Sequence, residues 1–132
     1  MKLHHVGIAV DDLTEAIGIY HGALGGQLWR RGRSESEDME YALLEVGGTE
    51  FELIHSTEYE SPVARFLAKR GPGVHHLAFE VEDLDAEIER LRVAGCEIVG
   101  DVRTGVHGSR VAFVHPKSMG GVLTELVERP GS

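Results

Sequence analysis

The chain has a single cysteine, Cys96, in 132 residues, which excludes an intrachain disulfide and any thiolate cluster. A metal site here must therefore draw on His, Asp, Glu or Gln, donors that favour borderline and hard divalent ions. Prolines number four against seventeen glycines, a pattern of tight connections rather than of a disordered linker. Long hydrophobic runs are missing: Val6–Val10 falls far short of the ~18 residues of a membrane helix. The opening Met1-Lys2-Leu3-His4-His5 has none of the apolar stretch of a secretory signal, so a cytoplasmic protein that does not enter membranes is expected. Cations are outnumbered, 13 Lys and Arg to 22 Asp and Glu, for a formal charge of -9. That balance opposes non-specific binding to nucleic acid and to anionic membranes, and leaves a small anionic ligand open. With 42% hydrophobic and 27% charged residues, the composition is globular and the length fits one domain, 1–132.

What the chain does have is a copy of itself. Aligning His4-His5 with His75-His76, an offset of 71, brings HHVGIAVDDLTEAIGIYHGAL onto HHLAFEVEDLDAEIERLRVA. Further on, Tyr41-Ala42-Leu43-Leu44 meets Val111-Ala112-Phe113-Val114, and Glu52-Leu53-Ile54 meets Glu125-Leu126-Val127 at an offset of 73. Each half reads as strand, helix, then three strands. Asp12, with Glu15 three residues on, and Asp83 stand where helix N-caps belong. Leu13, Ala16, Ile17 and Tyr20 form one apolar stripe, Leu84, Ile88 and Leu91 the other, stopped by Gly25-Gly26 and by Gly95. Strands are expected at about Leu3–Val10, Gln27–Arg31, Met39–Val46 and Thr49–Ile54, and again at about Gly73–Val81, Glu97–Gly100, Arg110–Val114 and Val122–Val127. Gly47-Gly48 makes a hairpin turn. Module one thus covers about 1–56 and module two about 73–128, with a connector helix at about 61–70 opened by Ser61-Pro62. The fold class is α+β: two tandem βαβββ modules forming a curved mixed sheet around a metal-binding cleft.

The repeat singles out four side chains. His5 matches His76 and Glu52 matches Glu125, a set of two imidazoles and two carboxylates at equivalent positions. With Phe51, Leu53 and Phe113 facing the helices, strand alternation turns Glu52 and Glu125 to the other face. A carboxylate inside an apolar strand needs a partner, and metal coordination supplies one. His4 and His75 fall on the opposite face and read as structural. His21, His55, His107 and His115 have no symmetry mate, although His107, in Gly105-Val106-His107-Gly108, could line a pocket. Lys117 and Ser118, just before Gly120-Gly121, offer an ammonium and backbone amides to a carboxylate or phosphate, or else form a connecting loop. Arg30, Arg31 and Arg33 read mainly as a solvated face.

HHVGIAVDDL, SPVARFLAKRGPGVHHLAFEVEDL and HPKSMGGVLTELVE resemble, over nearly the whole chain, the vicinal oxygen chelate (glyoxalase/bleomycin resistance/dioxygenase) superfamily and, within it, the methylmalonyl-CoA epimerases. The resemblance implies a glyoxalase-like fold, a homodimer, an acyl-CoA substrate, and metal ligands at His5, His76 and Glu125, with Glu52 where the family has Gln or Glu. It implies Co2+ or Mn2+, with Zn2+ or Ni2+ as alternates. The reaction it implies is epimerisation at C2 of (2R)- and (2S)-methylmalonyl-CoA through a metal-stabilised enolate. Glu125 is the expected base, opposed by Glu52 or by a carboxylate of the third strand. The segment Arg33-Ser34-Glu35-Ser36-Glu37-Asp38-Met39 does not match the family's, which leaves Glu40 as the carboxylate there. A lactoylglutathione lyase is the nearest rival. A ring-cleaving dioxygenase has no use for Glu52 as a fourth ligand, and a metal-free binding protein has no use for four matched ligands.

Overall fold

The computed structural model describes residues 1–130. Its elements run β1 (Lys2–Ala9), α1 (Leu13–Leu24), β2 (Gln27–Ser34), β3 (Met39–Val46), β4 (Thr49–His55), α2 (Pro62–Arg70), β5 (Gly73–Val81), α3 (Leu84–Val93), β6 (Ile98–Thr104), β7 (Arg110–Val114) and β8 (Thr124–Glu128), with a 3-10 turn at Pro116–Ser118 before β8. No helix among the described residues is long and apolar enough to cross a membrane.

The chain divides into two compact units: His5–His75 is one, and Met1–His4 with the chain from His76 onward is the other. In the first, the strands lie in the order β2-β3-β4-β1. The β1–β4 pair is parallel and the rest antiparallel. Helix α1 covers one face, where Leu13 and Ala16 close over Val10, Ala42, Leu44 and Leu53, with Ile8, Ile17 and Tyr20 at the margin. In the second unit the order β5-β8-β7-β6 repeats the plan, β5–β8 being the parallel pair. Leu84 and Ile88 of α3 close over Val81, Ala112, Val114 and Leu126, flanked by Leu91, Cys96 and Ile98. Hydrophobic burial on one face of each sheet holds each unit together. Truncating Leu53 or Leu126, both essentially buried, to alanine costs about 2–5 kcal/mol.

The helix boundaries follow from local chemistry. Asp12 accepts from the Glu15 amide at 2.9 Å and Asp83 from the Ala86 amide at 3.0 Å. Ser61 accepts from the Ala64 amide at 3.1 Å, with Pro62 in the first turn, where no amide is needed. Helix α1 ends at Gly25, whose φ of 69° is the left-handed conformation that glycine adopts without strain.

Two features depart from the strand pattern read off the sequence. Strand β2 runs on to Ser34 and slips register between Leu28 and Arg30, and β6 runs on to Thr104 and slips between Val99 and Arg103. Such bulges re-aim side chains. Phe113, expected against a helix, pairs directly with Glu125 and so shares its face, in a cluster with Ala78, Val111 and Val127. The helix-facing residues of β7 are its neighbours Ala112 and Val114.

Candidate active site

In the first unit, Glu52 stands on β4 with Gly7 of β1 and Leu43 of β3 as register partners. Leu53, the next residue, belongs to the core under α1, so pleating turns Glu52 to the uncovered face. His5 lies two residues before Gly7 on that same face. Its Nε2 is 3.6 Å from Glu52 Oε1, with His5 1% and Glu52 3% exposed. In the second unit, Glu125 is partnered by Ala78 of β5 and Phe113 of β7, and His76 lies two residues before Ala78. His76 Nε2 is 3.3 Å from Glu125 Oε1, and these residues are 3% and 7% exposed. The Phe113 ring meets His76 edge-on at 6.1 Å.

Each unit therefore buries one imidazole beside one carboxylate, by the same two-residue spacing on the same pair of parallel strands. Burying a carboxylate is costly without a compensating positive group. Adjacent ligands of a divalent ion bonded at about 2.1 Å lie about 3.0–3.5 Å apart; the His76–Glu125 separation of 3.3 Å falls within that range and the His5–Glu52 separation of 3.6 Å just beyond it. Each pair could supply two ligands, and the imidazole–carboxylate donor set fits a divalent metal of borderline hardness.

The loop after β6 comes close to Glu125: a Cβ on Gly105 would sit 3.0 Å from Val111 Cγ1 and 3.8 Å from Glu125 Oε2. A side chain there would press on Val111, which would have to give by a few tenths of an ångström. His107, in the same loop, packs edge-on against His4 at 4.7 Å.

Other candidates have different surroundings. Glu40 of β3 is exposed, and its register partner is His55. Alternation with Ala42 and Leu44 puts Glu40 on the helix side of the sheet, away from the Glu52 face. Lys117 is spread on the surface, 3.2 Å from Glu97, and the Ser118 hydroxyl accepts from the Glu97 amide at 3.0 Å. The amides of Ser118, Met119 and Gly121 are spent on His115 and Pro116 carbonyls within the turn. Those three amides are thus taken up within the turn, as a 3-10 turn uses its own donors, while the Lys117 ammonium stays largely exposed. The arginine cluster disperses: Arg31 donates to Thr14 at 2.9 Å, Arg33 pairs with Glu35 at 3.2 Å, and the Arg30 guanidinium lies 5.7 Å from the Tyr41 ring centroid. His21 and His55 bond to the Gly26 and Val10 carbonyls, and His75 packs on Phe66. Sequence reasoning overlooked Arg103, which lies over the Phe113 ring at 5.3 Å, and Tyr41. Their placement depends on the bulges and on Gly32, which composition does not signal.

A family profile described as the Glyoxalase/Bleomycin resistance protein/Dioxygenase superfamily matches residues 4–113. The ethylmalonyl-CoA/methylmalonyl-CoA epimerase of Cereibacter sphaeroides is 37% identical over 128 residues, covering 95% of this chain and 96% of that protein. A crystal structure of methylmalonyl-CoA epimerase from Mycobacterium tuberculosis is 44% identical and superposes with a TM-score of 0.92, over 98% of this chain and 89% of that one. A methylmalonyl-CoA epimerase in complex with methylmalonyl-CoA and NH4+ is 35% identical, with a TM-score of 0.92, over 98% and 95% of the two chains.

Proposed function

The chain belongs to the Glyoxalase/Bleomycin resistance protein/Dioxygenase superfamily and is an enzyme of its methylmalonyl-CoA epimerase family, and from that premise we propose that it interconverts (2R)- and (2S)-methylmalonyl-CoA by moving the C2 proton. The observation that carries this reading is the recurrence of one buried His–Glu pair in each unit, His5 with Glu52 and His76 with Glu125. We assign all four to one divalent ion, Co2+ or Mn2+ before Zn2+ or Ni2+, on the ground of the repeat and of the family.

The C2 proton lies between a thioester carbonyl and a carboxylate, and its removal leaves an enolate. A divalent ion, when bound, draws off charge as it develops on the thioester oxygen. Glu125 is assigned as the base: its carboxylate lies on β8 opposite Phe113 and 3.3 Å from His76 Nε2, buried on the face away from the helix. Glu52 is a ligand, and on the first unit's face it serves to orient His5. The acyl-CoA substrate and a homodimeric assembly belong to the same proposal.

The test is incubation of metal-loaded enzyme with (2R)-methylmalonyl-CoA in deuterated water, following deuterium at C2 and the configuration there. Exchange with inversion that disappears on chelation and returns with metal is expected. Absence of both with metal bound overturns the reading, and turnover of the methylglyoxal–glutathione hemithioacetal instead would assign a lyase.

A further inference from the structure

Epimerisation needs a proton-transfer group on each face of C2, and of the two carboxylates of β3, Glu40 points to the helix side and Glu45 is exposed. The residue after Glu40 does not point to the helix side. Tyr41 pairs with Ile54 of β4 and Gly32 of β2, and Leu43, two residues on, pairs with Glu52. Tyr41 therefore shares the face of Glu52. It is 5% exposed, and its ring lies across β2 at Gly32, where a Cβ would fall 2.8 Å from the phenol oxygen and 3.0 Å from Cζ. Glycine at this position is what makes room for the ring.

The bulge at Leu28–Arg30 puts Arg30 opposite Leu43, on the same face, and its guanidinium covers the Tyr41 ring at 5.7 Å. Buried tyrosine hydroxyls usually find a hydrogen-bond partner. Among the described residues, none donates to or accepts from the phenol of Tyr41, yet no fully buried side-chain oxygen is orphaned. The hydroxyl is thus the accessible tip of an otherwise buried and clamped side chain. Of the other titratable groups on this face of β3 and β4, Glu45 is exposed and Glu50 accepts from the Trp29 indole at 3.1 Å.

We propose that Tyr41 is the second proton-transfer residue, its phenol delivering a proton to C2 on the face opposite the one from which a carboxylate removes it; this rests on the epimerase reading above. In one direction the carboxylate takes the C2 proton, and the C–H pair passes into the enolate. The phenol O–H bond then breaks, its proton joins C2 with the enolate pair, and a phenolate remains. Solvent takes the proton from the carboxylic acid and returns one to the phenolate. In the other direction the phenolate removes the proton and the carboxylic acid supplies it.

Tyr41→Phe keeps the ring and removes only the hydroxyl. With each configuration of methylmalonyl-CoA supplied separately in deuterated water, inversion is expected to fall by about 10²–10⁴-fold. Deuterium exchange without inversion is expected to persist from the one configuration whose proton the carboxylate takes. Wild-type inversion rates in the variant, or equal loss of exchange from both configurations in a variant that melts like the parent, overturn the proposal. Should the phenylalanine variant not fold, replacing Tyr41 by 3-fluorotyrosine, a more acidic phenol of nearly the same shape, must move the basic limb of the kcat–pH profile downward; an unmoved limb overturns it equally. A parent enzyme that inverts neither configuration removes the epimerase reading itself, and the role of Tyr41 with it.

Discussion

A glutamate buried in an apolar strand costs stability that a metal ion bound beside it, on the reading proposed above, would offset. Glu52 has Gly7 and Leu43 as register partners and His5 beside it, at 3% exposure, where a leucine of similar size would avoid the desolvation of a charge. Glu52→Leu is therefore expected to raise the melting temperature of chelated protein while weakening metal binding, both readable by thermal melts with and without added Mn2+. A lower melting temperature in the chelated variant would mean that the carboxylate stabilises the fold directly. Glu40→Gln makes the opposite control. Its side chain is exposed on the helix side, so the inversion rate should stay at the parent level; a hundredfold loss would return Glu40 to the proton-transfer machinery.

At the scale of elements, the second unit ties its helix to its sheet by charge. Asp83 caps α3, and Glu128 at the end of β8 accepts from the Leu84 amide at 2.9 Å. Arg110 of β7 spans Asp85 at 2.9 Å and Glu128 at 3.3 Å. Removing the cap with Asp83→Ala should cost about 1 kcal/mol in urea unfolding with the slope unchanged. The hydrogen bond and charge of Arg110 hold the Asp85 carboxyl below its ordinary range. A lowered carboxyl stabilises above its unfolded value and loses that contribution as the pH falls through the folded one. The melting difference between Asp85→Asn and the parent is thus expected at pH 7 and absent well below pH ~4; a difference that persists in acid would locate the effect elsewhere. Because both side chains are exposed to solvent, the effect is small. Helices α1 and α3 were legible because caps, stripes and terminating glycines agree. Strand faces were legible only where hydrophobicity alternates, as at Glu52-Leu53. In β7, Val111 and Phe113 on one side and Ala112 and Val114 on the other are all apolar, so nothing in composition told which way Phe113 points. The run Tyr41–Leu44 hid Tyr41 in the same way, since both faces of β3 are buried there.

At the scale of the whole molecule, the internal repeat makes a countable prediction. Two copies of a βαβββ module deliver two His–Glu pairs, and on the metal-dependent reading proposed above the pairs either share one ion or take one each. Two protein donors make a weak site, whereas four make a tight one with positions left for substrate oxygens. One ion per chain is expected by elemental analysis after gel filtration, and His5→Ala should abolish tight binding altogether. Two ions per chain, or half the metal retained in His5→Ala, would mean independent sites. Folding reports the same linkage, since an ion that binds only the native state stabilises it by about 2.7 kcal/mol at a hundredfold excess over Kd. Stabilisation of that order should be lost alike in His5→Ala and in His76→Ala, although the two side chains sit in different units of the chain. If one variant keeps the thermal response to metal and the other loses it, the repeat has diverged into one working pair and one relic, and the proton chemistry has to be rebuilt around the pair that binds.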